Sequence, residues 1–396
     1  MKLISFYLVV VRMSKYRFDE IAINSTLKKK PEENDRFHYI ALEHLDSESL
    51  TVSRWGSDVA PKGEKLIMKK GDVLFGKRRA YQKKVAIAPF NGIFSAHGMV
   101  LRPNEKVVDK DFFPMFISSD YFLDAAIAIS VGSLSPTINW KDLAKLEFDL
   151  PSLEEQNKAA KVLWAMHDTI DGYKSLLTET DALVKLQFIE MFGGQEENQY
   201  GYPAMTLGEV CTFFSGTGFP NDYQGNPSGK YPFYKVGDIS RNVQNGNKQL
   251  QDCDNYIDDD VVSKIHGTII PEGTVVFAKI GEALRLNRRA ITSQNCLIDN
   301  NAMGIKPDDE LALGYFFQYM KLLDMGKYAG TTAMPSVRKS TLENVRILVP
   351  PIDKQVQFEQ LMQQSDKSKL SLQTSMNNLR AMFNKVLSGD LGEEVV

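Results

Sequence analysis

Cysteine is scarce in this 396-residue chain: Cys211, Cys253 and Cys296 are the only three, and none stands at metal-ligand spacing from another. So scattered a set supports neither a disulfide framework nor a zinc knuckle, and it fits a reducing cytoplasm. The five histidines, His38, His44, His97, His167 and His266, are equally dispersed. No Gly-x-x-x-x-Gly-Lys-Ser/Thr phosphate loop occurs, because Gly225 to Tyr231 has the wrong spacing, and Gly216-Thr-Gly218 lacks the third glycine of a dinucleotide site. The acids from Asp252 to Asp260 lack the glycine order of a calcium loop and read as a solvated segment. Metal and catalytic centres are therefore not expected. Net charge is also missing: at -3 the chain has no global attraction for polyanions, so any nucleic-acid contact must come from local patches.

Long apolar runs are absent too. Leu3 to Val11 falls short of the ~20 residues of a bilayer crossing. With Lys2 ahead it has the outline of a signal-peptide core, but Arg12-Met-Ser-Lys15 offers no small-residue cleavage site. It reads as an edge strand, or as an extension ahead of a working start at Met13. The chain length predicts two or three domains, each large enough for its own core.

What is present is a duplication. Pro136 to Gln156 aligns without gaps on Pro335 to Gln355, about 199 residues on, with Pro136, Leu143, Pro151 and Gln156 meeting Pro335, Leu342, Pro350 and Gln355. Earlier landmarks keep their order: Phe18-Asp-Glu-Ile21 against Leu207-Gly-Glu-Val210, Tyr39 to Glu43 against Tyr234 to Asp238, Gly71 to Lys77 against Gly273 to Lys279, and Leu101-Arg-Pro103 against Ile305-Lys-Pro307. A repeat of this length is two copies of a domain with its connector, a pseudo-dimer. Each domain reads as short strands, turns and a few helices, with Tyr231, Phe233 and Tyr234 as core or strand-pairing residues.

After each domain a long helix is expected. Ser152 followed by Glu155 is a capping-box signature, and apolar residues then recur every seven: Leu163, Ile170, Leu177, Val184 and Met191. The second copy has Met362, Met376 and Phe383, joined by Leu372, Leu379 and Val386, with Lys369 interrupting the stripe. Two such seams in one chain most simply pair with each other. The alternative is that each helix packs on its own domain.

The positive signal for function is local charge. Lys62 to Lys84 holds nine Lys or Arg against two acids. Lys69 and Lys70 precede the strand Val73-Leu-Phe75, Lys77, Arg78 and Arg79 follow it, and Lys83 and Lys84 come soon after. The duplicate has Lys279, then Arg285, Asn287, Arg288 and Arg289. Such side chains neutralise phosphates, and Arg and Asn also grip guanine and adenine through paired hydrogen bonds. Asn139 and Trp140, and their counterparts Arg338 and Lys339, lie in the loop before the last strand and complete the candidate set.

The order of domain, Pro-x-Leu/Ile-Glu/Asp-x-Gln helix, domain and second helix resembles the specificity subunit of type I restriction-modification systems. The likeness runs from about Met13 onward and is carried by Gly132-Ser, Leu143, Leu150 to Gln156, Gly330-Thr, Leu342 and Val349 to Gln355. It implies two target recognition domains, each reading half of a split DNA sequence through the major groove, held apart by paired helices. It also implies no catalysis by this chain: two methyltransferase subunits would carry S-adenosylmethionine, and two motor-nuclease subunits would use ATP and magnesium. Asp353-Lys354 in place of two glutamates departs from the pattern.

The resulting expectation is an α+β fold: two mixed α/β recognition domains, 1–150 (with 1–12 as a possible extension) and 201–349, and spacer helices within 151–200 and 350–396 that pair as an antiparallel coiled coil. Its partner is double-stranded DNA, its target asymmetric because the domains share little beyond landmarks, and its setting cytoplasmic, with no membrane role. The alternatives are a protein-interaction scaffold without DNA and a self-contained methyltransferase or nuclease.

Overall fold

The computed structural model describes residues 13–194, 198–330 and 335–388. The expectation for Leu3 to Val11, and Thr331 of the Gly330-Thr landmark, lie outside the described residues. The chain divides into two compact units, one running up to Ser175 and resuming at Leu372, the other Leu176–Ser371. Both borders fall inside a long helix, so each unit holds part of both helices.

In the first unit an antiparallel sheet runs in the order Ala22–Ser25, Met99–Pro103, Val73–Phe75, Val85–Ile87. A second sheet has the order Lys28–Lys29, Lys65–Met68, Gly92–Phe94, Tyr39–Ile40, and Ser14–Arg17 pairs with Glu147–Leu150. The core is aromatic: the rings of Phe18 and Phe122 lie 4.9 Å apart, and those of Phe116 and Phe148 5.2 Å apart.

The second unit repeats the four-stranded plan with Cys211–Ser215, Ala302–Pro307, Val275–Ala278, Ala290–Ile291. Its two-stranded ribbon joins Ala204–Thr206 to Arg346–Leu348. The copies match bond for bond: the amide of Phe18 donates to Leu146 O and that of Leu207 to Val345 O; Ile138 donates to Lys77 O and Val337 to Lys279 O. Gly71 and Gly273 open matching turns at φ 91° and 78°, conformations that glycine adopts without strain.

One landmark moves by a residue. Tyr39 and Ile40 pair with Ile93 and Phe94, whereas Phe233 and Tyr234 pair with Leu297 and Ile298, so Tyr234 matches Ile40 rather than Tyr39. The reason is burial: Ile40 and Tyr234 are both enclosed in their cores. In the first copy a one-residue slip would put the half-buried Tyr39 at the enclosed position of Ile40, which outweighs the identity of two tyrosines. Phe233 and Tyr234 are interior, as the composition of that strand predicts.

The long helices span Leu153–Phe192 and Ile352–Ser388. The Ser152 cap is only half formed: Glu155 N donates to Ser152 Oγ at 3.4 Å, while the Glu155 carboxylate is taken by Lys158 at 3.0 Å. A buried glutamine fixes the start instead. Gln156 Oε1 accepts from Asp109 N at 2.8 Å, and its Nε2 donates to Val107 O and Pro151 O at 3.0 and 2.9 Å. Gln355 does the same with Ala312 N, Glu310 O and Pro350 O at 2.8, 3.0 and 2.8 Å. Both side chains are fully buried.

Within each unit the two helices pack together. In the first, Leu163 shares the core with Leu387, Phe383 and Val386. In the second, Phe188 and Phe192 meet Phe358 at 5.3 and 5.7 Å, and further along Asp181 meets Lys369 at 2.9 Å, so the strands of the pair run antiparallel. Lys369 therefore does not merely break the stripe; it forms an ion pair across the seam. Of the expected seam residues, Leu163, Ile170, Val184, Met362 and Met376 are buried, and Leu177, Leu372, Leu379 and Phe383 are half-buried.

Replacing Gln156 by Leu strands three backbone groups without partners, at about 1–3 kcal/mol each. A fall of at least about 3 kcal/mol in unfolding free energy by urea titration is expected; a change below about 0.5 kcal/mol would show that the clamp does not hold the helix start.

Candidate nucleic-acid interface

The strand Val73–Phe75 separates the first basic run into two groups. Lys69 and Lys70 are exposed at the Gly71 turn, where Lys70 N donates to Asn91 Oδ1. Lys77, Arg78 and Arg79 leave the opposite end of the strand. There the loop Pro136 to Asn139 is stitched to them: Ile138 N donates to Lys77 O at 2.9 Å, Ala80 N to Pro136 O at 3.3 Å, and Arg78 bridges Thr137. Local pairing thus brings Lys77, Arg78, Arg79 and Asn139 together, with Arg78, Arg79 and Asn139 exposed. Among the described residues no carboxylate pairs with Arg78 or Arg79. Arg79 and Lys83 hold φ of 55° and 48° around the short turn Ala80–Gln82, left-handed backbone that side chains other than glycine and asparagine seldom adopt.

The second copy builds the same junction. Val337 N donates to Lys279 O at 2.9 Å, Gly281 N to Pro335 O at 2.8 Å, and Ile280 bridges Ser336, which brings Lys279 beside the exposed Arg338. Arg285 is exposed on the turn Glu282–Arg285, 3.5 Å from Glu282, and Arg288 is half-buried. Lys339 sits on the helix Lys339–Glu343, 3.6 Å from Glu343 and 6.0 Å above the Phe213 ring.

Several expected contacts turn inward. Lys83 pairs with Asp120 and Asp124 at 2.6 and 2.8 Å, and Lys84 Nζ donates to Leu42 O. Trp140 packs 5.7 Å from Phe18 rather than facing outward. Asn287 is spent on structure: its Oδ1 accepts from Arg289 Nη2 at 2.6 Å and its Nδ2 donates to Lys321 O. Arg289 itself is 4% exposed, with its guanidinium 4.9 Å above the Phe277 ring. Burial pushes its pKa down to about 9, still above neutrality, so it is enclosed as a cation and cannot reach a groove. A run of basic letters does not reveal which members cover an apolar ring.

Side chains beyond the candidate set add to the first patch. His97 lies below the usual imidazole range because of burial and then of Arg78, Lys77 and Lys65. The Lys77 ammonium is lowered by burial and then by Lys28. Lys28, far from Arg78 in sequence, sits on the strand beside that of Lys65, so folding gathers it into the positive field of the run. Among the described residues there is no cluster of acids, histidines and cysteines able to hold a metal ion, and no helix is long and apolar enough to cross a membrane.

Since Arg289 has no direct carboxylate partner, Arg289→Met is expected to change stability by less than about 1 kcal/mol in urea titration. A loss above about 3 kcal/mol would show that the buried cation is essential to the second unit.

The comparisons bear on this geometry. Residues 14–179 and 201–379 match the type I restriction modification DNA specificity domain. The type I restriction enzyme MjaIX specificity subunit of Methanocaldococcus jannaschii is 26% identical over 379 residues, covering 88% of this chain and 84% of that one. The EcoDI specificity subunit of Escherichia coli is 28% identical over 190 residues, 46% of this chain and 42% of the relative. Among solved structures, a chain described under complex assembly and conformational transition of the type I R-M system superposes with a TM-score of 0.55 at 18% identity, over 97% of this chain and 98% of that one. The type I restriction-modification S subunit from M. genitalium gives 0.52 at 15%, over 98% and 97%. These two likenesses concern the fold. The twofold match along the sequence settles the family: the chain belongs to the type I restriction modification DNA specificity domain family, in two tandem copies.

Proposed function

We propose that this chain is the DNA-sequence reader of a type I restriction-modification complex and the scaffold on which its enzymatic subunits assemble. The observation that carries this reading is the repeated junction. In both copies the strand exit bearing Lys77 or Lys279 is stitched to the loop bearing Asn139 or Arg338, so two equivalent polar, cationic edges come from one duplicated plan. Each edge reads one half of a split target, and because the two carry different side chains the target is asymmetric. The paired helices set the gap between half-sites, whose intervening bases need no contact.

In this reading the chain performs no catalysis. S-adenosylmethionine belongs to two methyltransferase subunits, and ATP and magnesium to two motor-nuclease subunits; this chain contributes the address, in the cytoplasm.

Phosphate contacts make affinity fall with salt at a slope of about 0.9 per contact. Replacing Lys77, Arg78 and Arg79 together by Gln is expected to flatten the salt dependence of duplex binding by about two to three units. An unchanged slope would place the phosphate contacts elsewhere. Inserting four residues near Thr178 and four near Thr374, about one helical turn in each rod, is expected to lengthen the unread spacer of the methylated motif. A spacer of unaltered length would mean that the helices do not set it.

A further inference from the structure

The loop stitched to the Arg78 strand carries a feature that charge does not explain. Between Val131 and Thr137 the chain turns back on itself, closed by reciprocal bonds: Val131 N to Thr137 O at 3.0 Å and Thr137 N to Val131 O at 2.9 Å. Thr137 Oγ1 donates to Ser135 O at 3.1 Å, and Gly132 supplies a φ of 115°. At the tip Leu134 is 92% exposed, and Val131 at the base is 65% exposed. A lone exposed leucine is ordinary. Here two apolar side chains stand on a loop whose other face is bonded to the segment bearing Arg78 and Arg79, and both cations lack a carboxylate among the described residues.

We propose that the Leu134 hairpin is an apolar wedge that enters the base stack of bound duplex DNA, a role that rests on the DNA-reading function above. The chemistry is complementary. Arg78 and Arg79 fix the loop against phosphates, and a rigid aliphatic tip held just beyond them meets the one apolar part of a duplex, the faces of its stacked base pairs. Backbone bonds on both sides of the tip mean that little further ordering is needed on binding. A protein partner would take the same leucine into a pocket, but the adjacent unpaired cations favour a polyanion.

The test uses the full chain assembled with its methyltransferase subunits, and duplexes carrying the motif that this complex methylates, with 2-aminopurine placed at successive positions. A several-fold rise in fluorescence is expected at one step away from the methylated adenine. Leu134→Asn abolishes that rise and weakens binding about ten-fold at fixed salt. The salt slope stays unchanged, and Leu134→Met retains both properties. A rise confined to the methylated adenine, or one that persists in Leu134→Asn, overturns the wedge. So does an intact rise accompanied by loss of co-purifying methyltransferase, which would make Leu134 a protein contact. Absence of motif-preferring binding by the unsubstituted complex overturns the DNA-reading function itself and the wedge with it.

Discussion

The structure depends on how each long helix is anchored where it leaves its domain. Gln156 and Gln355 each bind three backbone groups, one donor and two acceptors, from fully buried positions. A polar side chain placed so deep is stabilising only when every bond is made, and that requirement fixes the helix relative to the loops around Val107 and Asp109, or Glu310 and Ala312. Apolar packing of Leu163 or Phe358 holds each helix against its domain without fixing where it starts, and the clamp supplies that. With it, the direction in which each helix leaves becomes a property of the domain fold.

The same anchoring explains why each unit contains both helices. In the first, Leu387 of the second helix enters the aromatic core beside Leu163; in the second, Phe188 and Phe192 of the first helix meet Phe358. The seam is thus an extension of each domain's core rather than a separate rod, and Lys369 with Asp181 supplies a polar contact along it. With Asp181 more than half exposed and Lys369 also paired to Asp366 on its own helix, the cross-helix contact adds little net stability.

How much of this was legible in the sequence varies with the range of the interaction involved. The duplication and the heptads are sequential patterns, and they appear in the fold at the expected places; the Pro-to-Gln motif was visible as a repeat, although its three-bond role was not. The strand landmark at Tyr39 was misplaced by one residue because identity of letters was weighed without knowing which face each strand buries. The aromatic anchors Phe188, Phe192 and Phe358 lay outside the chosen stripe. At the candidate interface, Arg78, Arg79 and Asn139 are brought together by local pairing close to turns and to the repeat, which is why their proximity could be read from sequence. Lys83, Lys84, Asn287 and Arg289 are engaged by acids, carbonyls and a ring that the run of letters does not reveal, and the proximity of Lys28 and His97 to the run was hidden for the same nonlocal reason.

The two copies keep their scaffold and differ in what they present. Backbone bonds at the strand exits are conserved between them, while Asn139 is matched by Arg338 and the Arg78-Arg79 pair is replaced by a turn beginning at Gly281. Separate readers on a common frame are the central claim, and the most direct test is to exchange residues 13–150 for the equivalent domain of a relative and map methylated adenine across the genome of cells that also make the partner subunits. The account predicts that one half of the motif changes while the other half is kept. Altered bases in both halves, or in neither, would contradict it.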